Sequence, residues 1–311
     1  MVDIKPEGCD LPVRQNSDAS LRRLAAFSYC YGTAKSYLAL QIVLAVPAAI
    51  AVACLIWAYP SVNVWTAFYA FTVALLDVLI LDRIQKHYRN LAARSQEMFD
   101  VDLFGLEWNG VHVGKKPDLE DEVQAAAKYR HRKVKVDELT DWYPRVVGEL
   151  DLPLARLICQ RANCWWDASL RRKYAYSLVA ILCLLTVGVL AISLYQRHTV
   201  ELMILTVYAP LAPAALWSVR EALRHKEASD RLDRVRDHIE TVWSGVLDGT
   251  LGSQEADYES RNIQDQIFDG RMRNPLIFDW VNRLVRKEHE ASMNEKAKEL
   301  VMQAKKALGL A

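Results

Sequence analysis

The chain has 311 residues, with 39 Lys and Arg against 38 Asp and Glu, for a formal net charge of +1 at pH 7. Its near-zero mean hydropathy comes from very apolar stretches set in a highly charged remainder, which excludes a uniformly soluble globule, so the two parts are read separately. The six cysteines (Cys9, Cys30, Cys54, Cys159, Cys164 and Cys183) have no CxxC or Cys/His spacing, so reduced thiols are expected and no metal.

Residues 1–38 read as an N-terminal arm. Its first 35 residues are polar, with no apolar segment behind a basic one and no small-residue cleavage site, so it is not a cleavable signal. Apolar stretches follow at 39–59 and 62–81, and again at 175–195 and 200–217. Each is roughly 18 to 21 residues, enough at about 1.5 Å per residue to reach across the roughly 30 Å hydrocarbon core of a bilayer. The expected fold is an all-α membrane protein: hairpin 1 at 39–81, a cytoplasmic helical segment at 82–174, hairpin 2 at 175–217 and a cytoplasmic helical tail at 218–311. Of the 39 basic residues only Arg197 lies in a connector between paired spans, so both termini and the 82–174 segment are expected in the cytoplasm. Trp57, Tyr59 and Tyr195 would mark the outer interface, and Tyr174, Tyr176 and Trp217 the inner one.

Residues 82–104 read as an amphipathic helix continuing the second span, with Ile84, Tyr88, Leu91 and Met98 near one face. A loop, GVHVGKKP, precedes a helix beginning near Asp118, and KVKVDELTDWYP suggests an extended piece or turn before Pro144. From Leu152 a long helix runs into the third span. Beyond the fourth, Ala228, Leu232, Val235, Ile239, Val242 and Val246 recur at intervals of four and three, which suits either a helix packed in a bundle or a seam for self-association. Asp248, Gly249, Gly252 and Ser253 break this helix. Another begins near Glu255, pauses at Asn274 and Pro275, and resumes to the end with Ala297, Val301, Ala304 and Leu308 in register.

No P-loop, GxGxxG, GxSxG or HExxH occurs and the seven His residues are scattered, so no enzyme is expected. Polar residues inside spans carry more information, because lipid penalises them. Asn63, Thr66, Tyr69 and Asp77 fall within about 120° on a helical wheel. This stripe either lines a water path in an assembly, or Asp77 pairs with Arg83 near the interface while the hydroxyls bond their own backbone. Pro210 and Pro213 should kink the fourth span, as a gate or as a simple bend. Two cytoplasmic stretches combine cations, amides and aromatics. One holds Arg161, Asn163 and Trp166, the other Arg271, Arg273 and Asn274; each suits either phosphate and base recognition or anchoring at headgroups.

The strings SQEMFDVDLFGLEWNG (95–110), LARLICQRANCWWDASLRRKYA (154–175) and IQDQIFDGRMRNPLIFDW (263–280), set around two apolar hairpins, resemble the SMODS-associating four-transmembrane (S-4TM) effectors from about residue 20 onward. The resemblance implies a bacterial defence effector of the inner membrane, linked to a nucleotidyltransferase and activated by a cyclic nucleotide or oligonucleotide, which kills or arrests the infected cell by disrupting that membrane. It implies no cofactor and assigns no ligand-binding residue. The expected partners are the lipid bilayer, further copies of the chain as a homo-oligomer and the nucleotidyltransferase, with no DNA or RNA polymer. The alternative is a membrane-anchored adaptor that recruits a cytoplasmic partner through the 228–246 seam and forms no pore.

Overall fold

The structure, a computed structural model, describes residues 8–45, 47, 48, 51, 63–131, 139–197, 199–204 and 208–309. Trp57, Tyr59 and Cys54 lie outside the described residues, as do 132–138 and the side chains of Asn63, Thr66, Pro210 and Pro213. Among the described residues every regular element is helical.

A short α1 (Leu11–Arg14) leads into α2 (Asp18–Ala45). Within the N-terminal arm of 1–38 the chain is helical from Asp18, in one helix that runs unbroken into the first apolar stretch. The run Leu24, Ala25, Ala26 and Phe27 is buried in the core, and no proline interrupts residues 18–45.

Helix α3 (Asn63–Leu76) passes through a π-helical turn (Asp77–Leu81) into α4 (Asp82–Phe104). Leu76, Leu81 and Asp82 keep right-handed helical dihedrals across both junctions, so the second apolar stretch and the amphipathic segment form one rod. Tyr88 and Leu91 pack against the core as the spacing predicts, but the buried register also holds Phe99, Leu103, Phe104 and two carboxylates, Glu97 and Asp100. Gly105 ends the rod with φ +65°, and the amides of Gly105 and Leu106 both donate to the Val101 carbonyl. Glycine takes this left-handed conformation without the Cβ penalty of other residues.

Asn109 caps a single turn, α5 (Gly110–Val113), by accepting from the His112 amide at 3.1 Å. Helix α6 (Leu119–His131) opens on Glu120, Asp121 and Glu122 and closes on Lys128, Arg130 and His131, the charge order that complements a helix dipole. A 3₁₀ turn (Arg145–Glu149) precedes α7 (Leu152–Tyr195), whose 44 residues extend about 66 Å. After α8 (Val200–Met203) comes α9 (Ala209–Leu247). Pro210 sits in the first turn of α9, where a missing N–H has no intrahelical acceptor to lose. Gly249, at φ +70°, breaks the chain before α10 (Ser253–Arg273), and Asn274 and Pro275 separate α10 from α11 (Asp279–Ala307).

One core joins α2, α4, α6, α7, α9, α10 and α11. The 228–246 spacing is consumed within it. Ala228, Leu232, Val235, Ile239 and Val242 are all buried and Val246 packs beside them, with α9 lying along α7. The seam reading as a surface for another copy or partner is corrected accordingly, and the packed-helix reading holds.

The far half of α7 is different. Leu184 is 74% exposed, and Leu185, Val187, Ile192 and Leu194 are exposed beside it; on α3, Trp65 is 70% exposed and Phe68 and Phe71 are open as well. Among the described residues α7 is the helix long and apolar enough to cross a membrane. An apolar surface this large needs a bilayer or a partner to cover it.

Candidate functional site

A buried polar centre lies where α4, α7 and α10 meet. Glu97 and Asp100, three residues apart on one face of α4, have no exposed surface. From α10, Arg271 reaches Glu97 at 3.4 Å and Asp100 at 2.5 Å, while Arg261 bonds Glu97 and Asp265, each at 2.8 Å. The Gln264 amide donates to Glu97 at 2.8 Å and to Asp100 at 3.2 Å, and the Tyr143 hydroxyl donates to Asp100 at 2.8 Å. From α7, Gln160 donates to the Ser260 carbonyl at 2.8 Å and to Gln264 at 3.2 Å; Arg156 bonds the Ser260 hydroxyl at 2.8 Å, the Phe104 carbonyl at 3.2 Å and Asp257.

Burial pushes the Glu97 carboxyl up from its ordinary value, while Arg271, the Arg261 hydrogen bond and Gln264 pull it back. Burial disfavours the Arg271 charge too, but Asp100 and then Glu97 outweigh it and hold Arg271 above its ordinary value. These carboxylates are committed to arginines and amides, which suits a joint between helices and leaves no open position for a substrate. Among the described residues no group of His, Cys, Asp and Glu is arranged to hold a metal ion.

A cavity of about 190 Å³ opens between α7, α9 and α11. Leu157, Ile158, Ile239, Trp243 and Leu300 form its apolar wall, and Arg161, Glu240, Lys296 and Gln303 its polar part. Arg161 pairs with Glu240 at 2.8 Å, Lys296 reaches Glu299 at 3.0 Å, and the Trp243 indole N–H donates to Gln303 at 3.3 Å.

A third constellation tightens the junction of α7 and α9 just below the apolar stretches. Arg171 bonds Asp167 at 2.9 Å and the Pro275 carbonyl at 2.8 Å, and its Nη1 lies 3.4 Å from His225 Nδ1. His225 Nε2 is 3.3 Å from Glu221 but not aligned for a hydrogen bond.

The sequence model of the SMODS-associating 4TM effector domain matches residues 9–300. The chain belongs to this S-4TM family. It is 24% identical over 288 residues to a Bacillus cereus (strain VD146) protein described as a probable CBASS effector molecule, covering 90% of this chain and 94% of that one. No solved structure matches it. In this S-4TM chain the three strings that carry the resemblance converge on the polar centre: the first supplies Glu97 and Asp100, the second Arg156 and Gln160, and the third Gln264, Asp265 and Arg271.

The ligand candidates read from the sequence do not form one site. Arg161 faces the cavity. Asn163 donates to the Tyr143 hydroxyl at 3.4 Å, at the edge of the polar centre. Trp166 donates to Asn282 at 3.3 Å and stands edge-on to the His289 ring at 5.2 Å, so it packs α7 on α11. Arg271 is bound by two buried carboxylates, Arg273 is exposed near Asp269, and Asn274 is buried, accepting from Arg231 at 3.0 Å. Arg271 as a phosphate ligand is thus corrected, since a guanidinium already paired twice has no reason to leave those partners for an exchangeable anion.

The polar stripe is corrected in part as well. Asp77 accepts from Gln41 of α2 at 2.6 Å, with Arg83 not involved, and the Tyr69 hydroxyl donates to the Leu44 carbonyl at 2.9 Å. Both bonds cross between α2 and the rod formed by α3 and the π-helical turn. Sequence reasoning missed Glu97, Gln160 and Gln264 and took Asp100, with Asp102, for a solvated acid pair, whereas Asp100 is buried. The available signal was that Glu97 and Asp100 fall among Phe99, Val101 and Leu103, in the register that an amphipathic helix buries.

Proposed function

We propose that this S-4TM protein is a membrane effector of bacterial antiphage defence, activated by a cyclic nucleotide or oligonucleotide from a linked nucleotidyltransferase, and that it acts by opening or disrupting the inner membrane. Family membership and the resemblance to a probable CBASS effector molecule support the defence role. Four spans in two hairpins, with both termini in the cytoplasm, account for the exposed apolar faces of α3 and α7. Large side chains gain about 1.5 to 3 kcal/mol each on leaving water.

The observation that carries the mechanism is continuity. Helix α7 runs without a break from the polar centre into the third apolar stretch, the rod ending at Phe104 runs into the second, and α9 runs out of the fourth. A ligand wedged between α7 and α9 would act directly on hairpin 2. Its binding shifts the equilibrium only by its difference in affinity for the closed and open arrangements. The cavity lined by Arg161, Lys296 and Trp243 is the candidate entry point. At about 190 Å³ it is smaller than the roughly 300 to 1,000 Å³ of ordinary ligand pockets. It takes one phosphate or one base in this state, and the rest of a cyclic nucleotide would require the helices to part.

Assembly into a homo-oligomer completes the reading, because four spans from one copy are too few to enclose a water path. With the 228–246 seam buried, no contact surface remains on which the adaptor alternative was based. Binding of a panel of cyclic nucleotides to the detergent-solubilised protein tests the ligand assignment. Arg161→Ala should weaken binding of the cognate nucleotide by roughly tenfold to a hundredfold. Unchanged affinity at equal helicity would remove the cavity as the sensor.

A further inference from the structure

Helix α11 runs back along α7, away from the apolar stretches. At its far end Lys305 bonds Glu149, just before α7 begins, at 2.6 Å, and Leu300 and Gln303 share the cavity with Leu157 and Ile158. At its near end Ile277 and Val281 form a small core with Leu170 and Tyr174, against which Leu178 of the third apolar stretch packs. Lys173 reaches Glu288 at 2.7 Å, and Asp279 pairs with Lys35 of α2. Lys35 precedes the first apolar stretch by four residues, about 6 Å of helix. Two separate helices therefore set the corner between α10 and α11 level with the ends of the apolar stretches that join the helical body.

At that level the outer face of α11 is uncovered. Val281, Val285 and His289 hold the inner side. Opposite them Trp280 is 54% exposed and Leu284 76%, with Arg283 and Lys287 exposed beside them. At 100° per residue these four fall within about 100° of one another. The acids nearby are already engaged, Asp279 by Lys35, Glu288 by Lys173 and Glu290 by Arg286 at 2.6 Å, whereas Arg283 and Lys287 have no ion pair among the described residues. Helical side chains lean toward their own N-terminus, which in α11 is the end beside the apolar stretches, and long basic side chains extend that reach. Tyr176 and Val179 of α7 are exposed at the same level. An apolar pair flanked by two uncompensated cations complements an anionic headgroup layer, where indole rings settle and each basic residue is attracted.

We propose that this corner is an interfacial anchor, in which Trp280 and Leu284 enter the headgroup layer of the cytoplasmic leaflet and Arg283 and Lys287 bind anionic phospholipid. The proposal rests on the membrane reading above. Lys296, Leu300 and Gln303 of the same helix line the cavity, so the anchor holds that wall to the bilayer surface while α7 and α9 carry the other walls into the spans.

The test uses the full chain in liposomes, with an environment-sensitive fluorophore on Leu284→Cys and acrylamide as the aqueous quencher; the same labelling of the wild type subtracts the native cysteines. Liposomes containing phosphatidylglycerol should shield the label far better than phosphatidylcholine alone. A label on Met302→Cys, at a position 63% exposed on the same helix and about 27 Å farther from the membrane end, should stay open in both lipids. Arg283→Gln with Lys287→Gln should lower the ratio of shielded to open label at 284 roughly tenfold or more. Lys298→Gln with Lys306→Gln, which removes equal charge from the far end of the helix, should leave that ratio intact. All four of these side chains are exposed, and equal helicity by circular dichroism separates loss of the anchor from loss of the fold. Equal quenching at 284 in both lipids, or shielding that survives Arg283→Gln with Lys287→Gln, would overturn the anchor. Shielding that persists in detergent and grows with protein concentration would also overturn it and assign the face to another copy of the chain. Release of the protein from membranes by alkaline carbonate would instead overturn the membrane reading, an outcome distinct from these.

Discussion

Arg271 and Arg273 are two residues apart in the sequence and have opposite circumstances. Arg271 is buried between Glu97 and Asp100, whereas Arg273 is 76% exposed with a single 3.4 Å approach to Asp269. Arg271→Met should therefore cost about 3 to 5 kcal/mol of stability, because it strands two buried carboxylates, while Arg273→Ala should leave the melting curve unchanged. Equal melting of both variants would contradict the polar centre. Two histidines set a pH dependence. Burial holds the pKa of His225 below its ordinary value, with Arg171 in the same sense and Glu221 opposing; burial and then Lys173 do the same for His289. Both prefer the neutral form in the folded protein. Their contribution is present above the ordinary histidine range, about 6.5, and is lost as pH falls through the lower folded values. Melting temperature should fall between pH 7.5 and 5.5, and His225→Gln should flatten that slope; a slope unchanged in the variant would exclude His225 as its source. At this scale the sequence was least legible. Glu97 and Asp100 look like solvated charges until Gln264, Arg261 and Arg271, more than 160 positions away, are brought against them by the packing of α10.

The elements themselves were more readable, because helical spacing and breakers are local. The long helix from Leu152 into the third apolar stretch, the continuation through 82–104 and the pause at Asn274 and Pro275 all follow from the pattern, and the structure has each of them. In 18–38 the charges of Arg22, Arg23 and Lys35 mask a helical register that Leu24, Phe27 and Cys30 carry at intervals of three. The π-helical turn at 77–81 has no sequence signature. Asp77, within it, accepts from Gln41 and so ties the rod of α3 and α4 to α2. Asp77→Leu and Gln41→Leu should each reduce toxicity in cells at equal protein levels, and the double variant should be no worse than the weaker single. Additive effects would mean that the two residues act separately.

For the molecule as a whole, the helical body is continuous with the helices that carry the exposed apolar faces. The strings that carry the S-4TM resemblance meet at the joint between α4, α7 and α10, where their polar side chains bond one another. That placement fits an effector in which the second string serves both ends of the signal, supplying Arg156 and Gln160 to the joint and Leu157, Ile158 and Arg161 to the cavity between α7, α9 and α11. Leakage of an encapsulated dye from liposomes containing the purified chain, with a panel of cyclic nucleotides added one at a time, tests this account most directly. The account predicts leakage with one cognate nucleotide and none without it, and a shift of the Arg161→Ala response to roughly tenfold to a hundredfold higher nucleotide concentration. Leakage that ignores nucleotide, or intact liposomes with every nucleotide while the protein is inserted and folded, would contradict it.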